Sequence, residues 1–197
     1  MELRNIVFDL GGVVFARDPR KCSREFIEFF SFVASPQMPL FWEEYDRGSL
    51  TFGEVKEQLC AYNGCDDEKC DAYLHTAIDM QEEIPSTKKL IERLKAAGYN
   101  LYVLSNMSRE FIAFLRRFPV YRNFDGEVVS CEEHTVKPEE QIYRIMLTRY
   151  GLDPSQTLFI DDRRANLDAA ARLGIGTFHF NHRDPASSCS ELEKMLL

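Results

Sequence analysis

The feature of this sequence that most constrains its fold is a short apolar run that recurs along the chain and stops at polar residues. Five runs have the length and composition of buried β-strands, namely residues 6–8, 101–104, 128–129, 157–160 and 177–180. The first four are followed directly by polar residues: Asp9, Ser105 and Asn106, Ser130, and Asp161 and Asp162. Polar side chains therefore stand at the carboxyl ends of several predicted strands.

Helical patterns lie between these runs, over residues 86–97, 139–150 and 166–173, and each is followed by a glycine of the kind that ends helices. Strands that alternate with helices of this length indicate βαβ units. We therefore predict an α/β fold, a doubly wound, Rossmann-like parallel sheet with helices on both faces. Ligands of such sheets bind beyond the carboxyl ends of the strands, where the polar residues are expected to converge.

Residues 17–83 interrupt the alternation, because they show helical periodicity and no convincing strand. Thr51 and Glu54 have the spacing of a capping box, which opens a helix there. We predict that residues 1–16 and 84–197 form the core. Residues 17–83, the cap segment, are predicted to form a small helical cap that is inserted after the first strand and lies over the crevice.

Charge and hydropathy exclude several classes of protein. The chain has 24 Lys and Arg against 32 Asp and Glu, and its net charge of −8 opposes binding to nucleic acid. Asp9 interrupts the first apolar run, so we expect no export signal. The longest uncharged stretch, residues 29–42, falls short of the roughly 20 apolar residues of a membrane span. We expect a cytoplasmic protein without membrane or nucleic-acid partners; nothing in the sequence indicates its oligomeric state.

Two groups of cysteine and histidine residues could in principle bind a metal, but we interpret neither as a metal site. Cys60, Cys65, Cys70 and His75 recur every five residues, but on a helix such a step turns the side chain by about 140°, and no Cys-x-x-Cys pair is present. We interpret the cysteines as free thiols rather than zinc ligands. His179 and His182 follow the fifth strand, where strand spacing places them on opposite faces, and we interpret both as structural.

Asp9 is the first candidate catalytic residue. It stands at a strand end before Gly11 and Gly12, where a carboxylate can accept a phosphoryl group covalently and glycines let phosphate approach backbone N–H groups. An aspartate before two glycines is also common in ordinary turns. By itself this motif is a weak signal.

Three further motifs are weak signals separately, but together with Asp9 they indicate a site for Mg²⁺ and phosphate. Asp161 and Asp162 are adjacent carboxylates that suit Mg²⁺, although an N-cap explains one of them equally well. Lys137 precedes Pro138 at a helix start and can neutralise phosphate and carboxylates, unless it is a solvated surface lysine. Ser105 and Asn106 supply donors for phosphate oxygens or a helix cap.

In this order the four elements resemble the motifs of the haloacid dehalogenase superfamily. Residues 8–14 are similar to its first motif, 104–106 to its second, Lys137 with Pro138 to its third, and 159–162 with Asn166 to its fourth. The resemblance implies a phosphatase with Asp9 as nucleophile. It also implies Mg²⁺ held by Asp9, the Gly11 carbonyl, Asp162 and possibly Asp161, and phosphate held by Gly11, Gly12, Ser105, Asn106 and Lys137.

The sequence departs from the family pattern at Gly11, where most family phosphatases have a second aspartate as general acid and base. Proton transfer typically contributes 10²–10⁴-fold, so substrates with good leaving groups should suffer least from its absence. This variant resembles the branch that acts on sugar phosphates such as glucose 1-phosphate, and we expect a small phosphorylated metabolite as substrate. Asp18 is a candidate replacement, although an Asx turn is the better interpretation.

Two alternative functions stay open. In a haloacid dehalogenase the same aspartate attacks carbon without Mg²⁺, but adjacent Asp161 and Asp162 favour a metal site. A catalytically weakened relative that binds a ligand through its cap is compatible with Gly11, but does not explain a retained nucleophile. Arg47, in the cap segment, is either a substrate contact or a solvated arginine at a helix end.

Overall fold

The computed structural model describes residues 3–35 and 38–197. Within these residues the strands are β1 (Asn5–Phe8), β2 (Phe15–Ala16), β3 (Glu82–Glu83), β4 (Asn100–Ser105), β5 (Gly126–Val129), β6 (Thr157–Asp161) and β7 (Gly176–His179). Five of them form one sheet in the order β5-β4-β1-β6-β7, and every pair in it is parallel. The five predicted strands are confirmed, with ends that shift by one or two residues.

Ten α-helices are formed by the described residues: α1 (Arg24–Phe29), α2 (Leu40–Asp46), α3 (Phe52–Asn63), α4 (Asp67–Asp79), α5 (Pro85–Ala96), α6 (Arg109–Leu115), α7 (Ser130–Glu133), α8 (Glu140–Tyr150), α9 (Arg164–Arg172) and α10 (Pro185–Leu196). None of them is long and apolar enough to cross a membrane.

The sheet is covered on both faces, as a doubly wound fold requires. Successive residues of a strand point to opposite faces. Ile6 and Phe8 accordingly join the hydrophobic core beneath α5, α6 and α10, and Val7 joins the core beneath α8 and α9. The predicted α/β, Rossmann-like fold is confirmed.

The strand order brings together residues that are far apart in sequence. β1 lies between β4 and β6, with Phe8 in register with Val103 on one side and Ile160 on the other. The chain therefore leaves β1, β4 and β6 at the same edge of the sheet. This edge carries the polar residues that follow those strands.

The cap segment contains α1 to α4 and has its own aromatic-rich core, which includes Trp42, Tyr45 and Leu74. The capping box of Thr51 and Glu54 is present at the start of α3. The prediction that this segment has no strand is wrong at β3, which pairs antiparallel with β2. The two connections between core and cap segment run side by side there, and a two-residue strand is too short to produce a sequence period.

The cap segment packs on the core through the end of α2. The Trp42 and Phe111 rings lie 6.4 Å apart, and the Tyr45 hydroxyl donates to Glu110 over 2.6 Å. Gly48 has a φ of +77° and lies so close to Cys131 that a Cβ atom would stand 2.5 Å from its carbonyl oxygen. Glycine at position 48 therefore permits the turn after α2 to rest directly on α7.

Candidate active site

A buried lysine organises the carboxyl edge of the sheet. The Lys137 ammonium lies 2.8 Å from Asp9 Oδ1, and it donates to Asp161 Oδ2 over 2.7 Å and to the Leu104 carbonyl oxygen over 2.9 Å. An ammonium group has three hydrogens, so these partners use all of them. The side chain is only 1% exposed. Burial alone would lower the pKa of Lys137, but Asp161 and Asp9 outweigh it and raise the pKa.

Asp161 is fully buried, and donors of the protein surround its carboxylate. Besides Lys137, the Arg163 N–H donates to Oδ1 over 2.8 Å, and the Asn166 amide contacts each oxygen at 3.0 Å. A carboxylate has about four acceptor positions, and these contacts occupy them. Asp161 is therefore better suited to orient Lys137 than to bind a metal directly, which changes the ligand set expected from the sequence.

Asp162 is more open than its neighbour. Oxygens of Asp9, Asp161 and Asp162 lie within 4.8 Å of one another, and the Asp162 side chain is 19% exposed. Burial raises the pKa of Asp9 to about 7, opposed by Lys137 and assisted by Asp161 and Asp162. Burial and the charge of Asp161 likewise raise the pKa of Asp162. A bound cation would favour the ionised form of both carboxylates, so the donor set fits a hard divalent ion.

Two histidines, His179 at the end of β7 and His182 three residues later, both contact Asp162, contrary to the expectation that they are separated on opposite faces. His182 Nδ1 lies 3.1 Å from Asp162 Oδ2, and His179 Nε2 lies 3.1 Å from the Asp162 carbonyl oxygen. β7 ends at His179, so His182 lies in the following loop and the alternation of a strand does not apply to it. Only the packing of that loop brings it to Asp162.

The two glycines after Asp9 have different surroundings. Gly12 has a φ of +75°, and a Cβ atom there would lie 3.0 Å from Asp162 Oδ2. A Cβ atom on Gly11 would meet no atom within 4 Å. Gly12 is therefore required by the turn and by the close approach of Asp162, whereas Gly11 leaves open space where the family pattern has an acid.

Ser105 and Asn106 have distinct environments. Ser105 is fully buried, and its Oγ has no hydrogen-bond partner among the described residues. An unpaired buried hydroxyl is unfavourable and calls for an explanation such as a ligand. The Asn106 side chain instead donates to the Lys137 carbonyl oxygen over 2.9 Å and accepts from the Lys137 N–H over 2.7 Å. Its amide therefore orients the Lys137 backbone rather than pointing freely at a substrate.

Sequence reasoning missed Asp46, which reaches the site from the end of α2. Its carbonyl oxygen accepts from Ser130 Oγ over 2.5 Å, and Ser130 Oγ in turn accepts from the Met107 N–H over 2.9 Å. Burial raises the pKa of Asp46 to about 7, although Arg163 and a hydrogen bond from the Ser108 N–H lower it; the charge of Asp9 raises it further. No period or motif in the cap segment distinguishes this acid, because only packing brings it near Asp9.

Arg47 proves to be neither a solvated side chain nor a free substrate contact. Its guanidinium forms two hydrogen bonds with Glu139, at 2.8 and 3.0 Å, and also pairs with Glu43 and Glu44. It thereby joins α2 to the loop that carries Lys137. Asp18 accepts from the Arg20 N–H over 3.0 Å in a local turn, which agrees with the Asx-turn interpretation.

The fold and this cluster define the class of the protein: an α/β protein whose buried carboxylates and lysine lie at the carboxyl edge of a parallel sheet. The sequence model of the haloacid dehalogenase-like hydrolases matches residues 3–174. The chain therefore belongs to the haloacid dehalogenase-like hydrolases.

Several relatives illustrate the range of this family. D-ribitol-5-phosphate phosphatase of Bacteroides thetaiotaomicron is 27% identical over 89% of this chain and 91% of its own length. (S)-2-haloacid dehalogenase 4A of Burkholderia cepacia is also 27% identical, over 73% of this chain and 60% of its own length. The acyl-CoA dehydrogenase family member 10 of Mus musculus is 31% identical over 79% of this chain, which spans only 15% of that relative.

A solved structure extends the comparison to a magnesium complex. A HAD family enzyme from Bacteroides thetaiotaomicron, crystallised as a magnesium complex, is 25% identical to this chain. The two superpose with a TM-score of 0.72, over 91% of this chain and 93% of that one.

Proposed function

We propose that this protein is a Mg²⁺-dependent phosphatase that hydrolyses a small phosphorylated metabolite through a phosphoryl intermediate on Asp9. The observation that carries the proposal is the Lys137 ammonium, held between Asp9 and Asp161 beside the more open Asp162. This arrangement directs positive charge at an attacking carboxylate and leaves carboxylate oxygens for a cation. The relationship to D-ribitol-5-phosphate phosphatase supports the same reaction.

Asp9 and Asp162 are the side chains that we propose as direct Mg²⁺ ligands, with the Gly11 carbonyl as a further ligand. Asp161 is saturated by protein donors, so we assign it to positioning Lys137. When bound, Mg²⁺ supplies positive charge that neutralises the phosphate and the ionised carboxylates.

In the first step, an Asp9 oxygen attacks phosphorus, and the bond between phosphorus and the leaving oxygen breaks. Lys137 holds Oδ1, which leaves Oδ2 as the nucleophilic atom. We propose that the Ser105 hydroxyl, which is buried without a hydrogen-bond partner, donates to a phosphate oxygen. In the second step, water attacks the same phosphorus, which releases inorganic phosphate and restores the Asp9 carboxylate.

Asp46 is the group that we propose to transfer the proton in place of the missing acid at Gly11. A carboxyl with a pKa of about 7 carries a proton in much of the population near neutral pH, so it can protonate the leaving oxygen. After the leaving group departs, the ionised carboxylate can accept a proton from the attacking water. A Cβ atom at position 11 would meet no atom within 4 Å, so this position leaves open space next to Asp9 in the chain.

A sugar phosphate is the substrate class that we propose. Phosphate on an anomeric carbon has a less basic leaving oxygen than an ordinary alcohol, which suits a site without a second aspartate near Asp9. The resemblance of the first motif to that of sugar-phosphate phosphatases supports this choice.

The test is phosphate release from p-nitrophenyl phosphate and a sugar-phosphate panel, with Mg²⁺ or with chelator. We expect turnover that requires Mg²⁺ and that is lost in Asp9→Asn, a substitution that preserves size but removes the nucleophilic charge. An Asp79→Asn variant, changed at the end of α4, is the control. Chloride release from 2-chloropropionate without Mg²⁺, and no phosphate release, would instead establish the dehalogenase reaction. Binding of a sugar phosphate without either product would identify a binding protein.

A further inference from the structure

Three cysteines of the cap segment converge, although their spacing on one helix would separate them. The Sγ atoms of Cys60, Cys65 and Cys70, the thiol cluster, lie within 4.8 Å of one another. Cys65 and Cys70 are closest, with their Sγ atoms 3.2 Å apart. The helical argument fails because Cys60 belongs to α3, Cys70 belongs to α4, and Cys65 lies in the connection between them.

The turn between the two helices produces this convergence. Gly64 ends α3 in the left-handed conformation, with a φ of +64°, and reverses the chain immediately before Cys65. Cys70 is fully buried in the core of the cap segment, and Cys60 and Cys65 are partly buried at its edge. The cluster therefore has a fixed inner ligand and two outer ligands that solvent can reach.

We propose that the thiol cluster binds a thiophilic metal ion of the Zn²⁺ or Cu⁺ type. Zinc–sulfur bonds of about 2.3 Å in a tetrahedral site place sulfur atoms about 3.8 Å apart, so only small side-chain adjustments are required. Soft thiolate ligands select these ions over Mg²⁺. The site is separate from the Asp9 site in both residues and ligand chemistry, and the proposal does not rest on the phosphatase function.

The residues around the thiol cluster decide whether a bound metal ion has a fourth ligand from the protein. Among the described residues, no histidine or acidic side chain joins the three sulfur atoms. His75 instead lies 3.6 Å from Asp71, with its ring 5.2 Å from the Phe52 ring. A fourth ligand of a tetrahedral ion would come from solvent, whereas a trigonal ion would need none.

Metal binding at this cluster requires a defined change in protonation. Three thiols lose their protons to solvent as three metal–sulfur bonds form, so a divalent ion leaves the site with one negative charge. Lys69 is near enough to Cys65 for the two groups to interact electrostatically. Its positive charge, which also pairs with Glu25, favours a site with residual negative charge.

The competing chemistry at these residues is a disulfide between Cys65 and Cys70. An oxidant would remove two electrons and two protons from the two thiols as the bond between the sulfur atoms forms. A disulfide would remove two of the three ligands, so the two chemistries exclude each other. Metal binding by the reduced protein distinguishes the two, because only the free thiols can act as ligands.

The experiment is a titration of the reduced full chain with Zn²⁺, and separately with Cd²⁺, whose bonds to thiolate absorb in the ultraviolet. We expect the cadmium–thiolate absorption to saturate at one ion per chain, and Tm to rise on binding. Cys60→Ser, Cys65→Ser and Cys70→Ser should each weaken binding by at least about tenfold, because each removes a ligand. Circular dichroism of the metal-free variants checks that they fold.

Two controls separate this site from others. Cys22→Ser changes a partly buried cysteine of the cap segment outside the cluster and should retain binding, as should Asp162→Asn, which alters the proposed Mg²⁺ site. No thiolate absorption in the reduced wild type would overturn the proposal. Equal binding by wild type and all three folded cluster variants would also overturn it.

Discussion

Lys137 and Asp9 form a buried ion pair, with the ammonium nitrogen 2.8 Å from Asp9 Oδ1. The same ammonium pairs with Asp161, so one positive charge is shared by two buried carboxylates. Removing one member of a buried charge cluster is more harmful than losing a surface pair, because the remaining charges lose their compensation. Changing one partner of the pair should therefore destabilise the protein, in addition to its effect on the proposed chemistry.

Lys137→Met should destabilise the protein by about 3–5 kcal/mol at neutral pH, as expected for buried carboxylates left without their partner. It should also abolish phosphate release. Urea denaturation measures the free energy of unfolding, and Lys95→Met provides the control. Lys95 forms an ion pair with Asp125 in which both side chains are 37% exposed, so its loss should change stability by less than about 1 kcal/mol. Equal stability of the two variants would contradict a structural role for the Lys137 cluster.

Asp46→Asn tests the proposed proton transfer while it preserves the size of the side chain. Turnover of alkyl phosphates should fall by about 10²-fold or more, because an alkoxide leaving group needs a proton. With p-nitrophenyl phosphate, the first release of nitrophenolate should stay fast and should produce a burst equal to the enzyme concentration. Asp79→Asn, at the exposed end of α4, is the control. A uniform decrease for both substrate types, without a burst, would argue against Asp46 as the acid.

Gly11→Asp should increase turnover of alkyl phosphates by about tenfold or more, because it supplies a second proton-transferring group near Asp9. A Cβ atom at this position meets nothing within 4 Å, so the backbone can keep its conformation. Gly11→Asn is the matched control, since it adds a side chain of the same size that does not transfer a proton in this way. The same kinetic constants for the two variants would show that proton transfer from position 11 does not limit the reaction.

The stability of the metal-free protein should decrease as pH rises from about 4 to about 7. Asp9 and Asp46 have pKa values raised from 3.8 to about 7 in the folded state, so across this window each of the two carboxyls binds more protons in the folded protein than in the unfolded chain. The free energy of unfolding must then fall as pH rises, by about 1 kcal/mol or more for each group.

Urea denaturation at several pH values in chelator measures this slope. Asp9→Asn should make it shallower, and Mg²⁺ should stabilise the protein most at the higher pH values, where the carboxylates ionise readily. A stability that rises between pH 4 and 7 in chelator would contradict the raised pKa values.

Gly48→Ala should weaken the contact between the cap segment and the core. The added Cβ atom would stand 2.5 Å from the Cys131 carbonyl oxygen, at a residue with a φ of +77°. Gly151 has a similar φ of +61°, but a Cβ atom there would meet no atom within 4 Å. Gly151→Ala should therefore lower the free energy of unfolding by only about 1–2 kcal/mol, the cost of the left-handed conformation. Thermal and urea denaturation should show a larger loss for Gly48→Ala. Equal losses would mean that the turn after α2 moves away from Cys131 at little cost.

Local patterns predicted most of the scaffold. The buried strands appear as apolar runs because both faces of a parallel sheet are covered, and the helix ends are visible because Gly98, Gly151 and Gly174 follow them in the left-handed conformation. The capping box of Thr51 and Glu54 is likewise local, since both hydrogen bonds join residues three apart. Features of this kind depend on neighbours in sequence, and they were predicted correctly.

The errors arose where a local rule was applied past the end of an element, or where distant segments meet. The alternation rule fails for His182 because it lies beyond β7, and the helix rule fails for Cys60, Cys65 and Cys70 because a turn separates them. The pairing of the Asn106 side chain with the backbone of Lys137, 31 residues away, was not predicted, and the role of Asn106 as a substrate contact stays a prediction. This pairing has no signature in local sequence.

The sequence by itself determined the α/β class, the family and the set of polar residues at the strand ends, because these depend on short-range periodicity and motif order. Only the tertiary structure decided which acidic side chains are occupied by protein donors, which are open to a cation and which have a raised pKa. Asp161 is saturated by Lys137, Arg163 and Asn166, and Asp162 stays partly open. Asp46 arrives from the cap segment beside Ser108, with a raised pKa. The reason is physical: burial and the placement of donors set the ionisation and availability of a carboxylate, and the burial of Asp46 and the contact of Lys137 with Asp161 arise from packing between segments far apart in the chain.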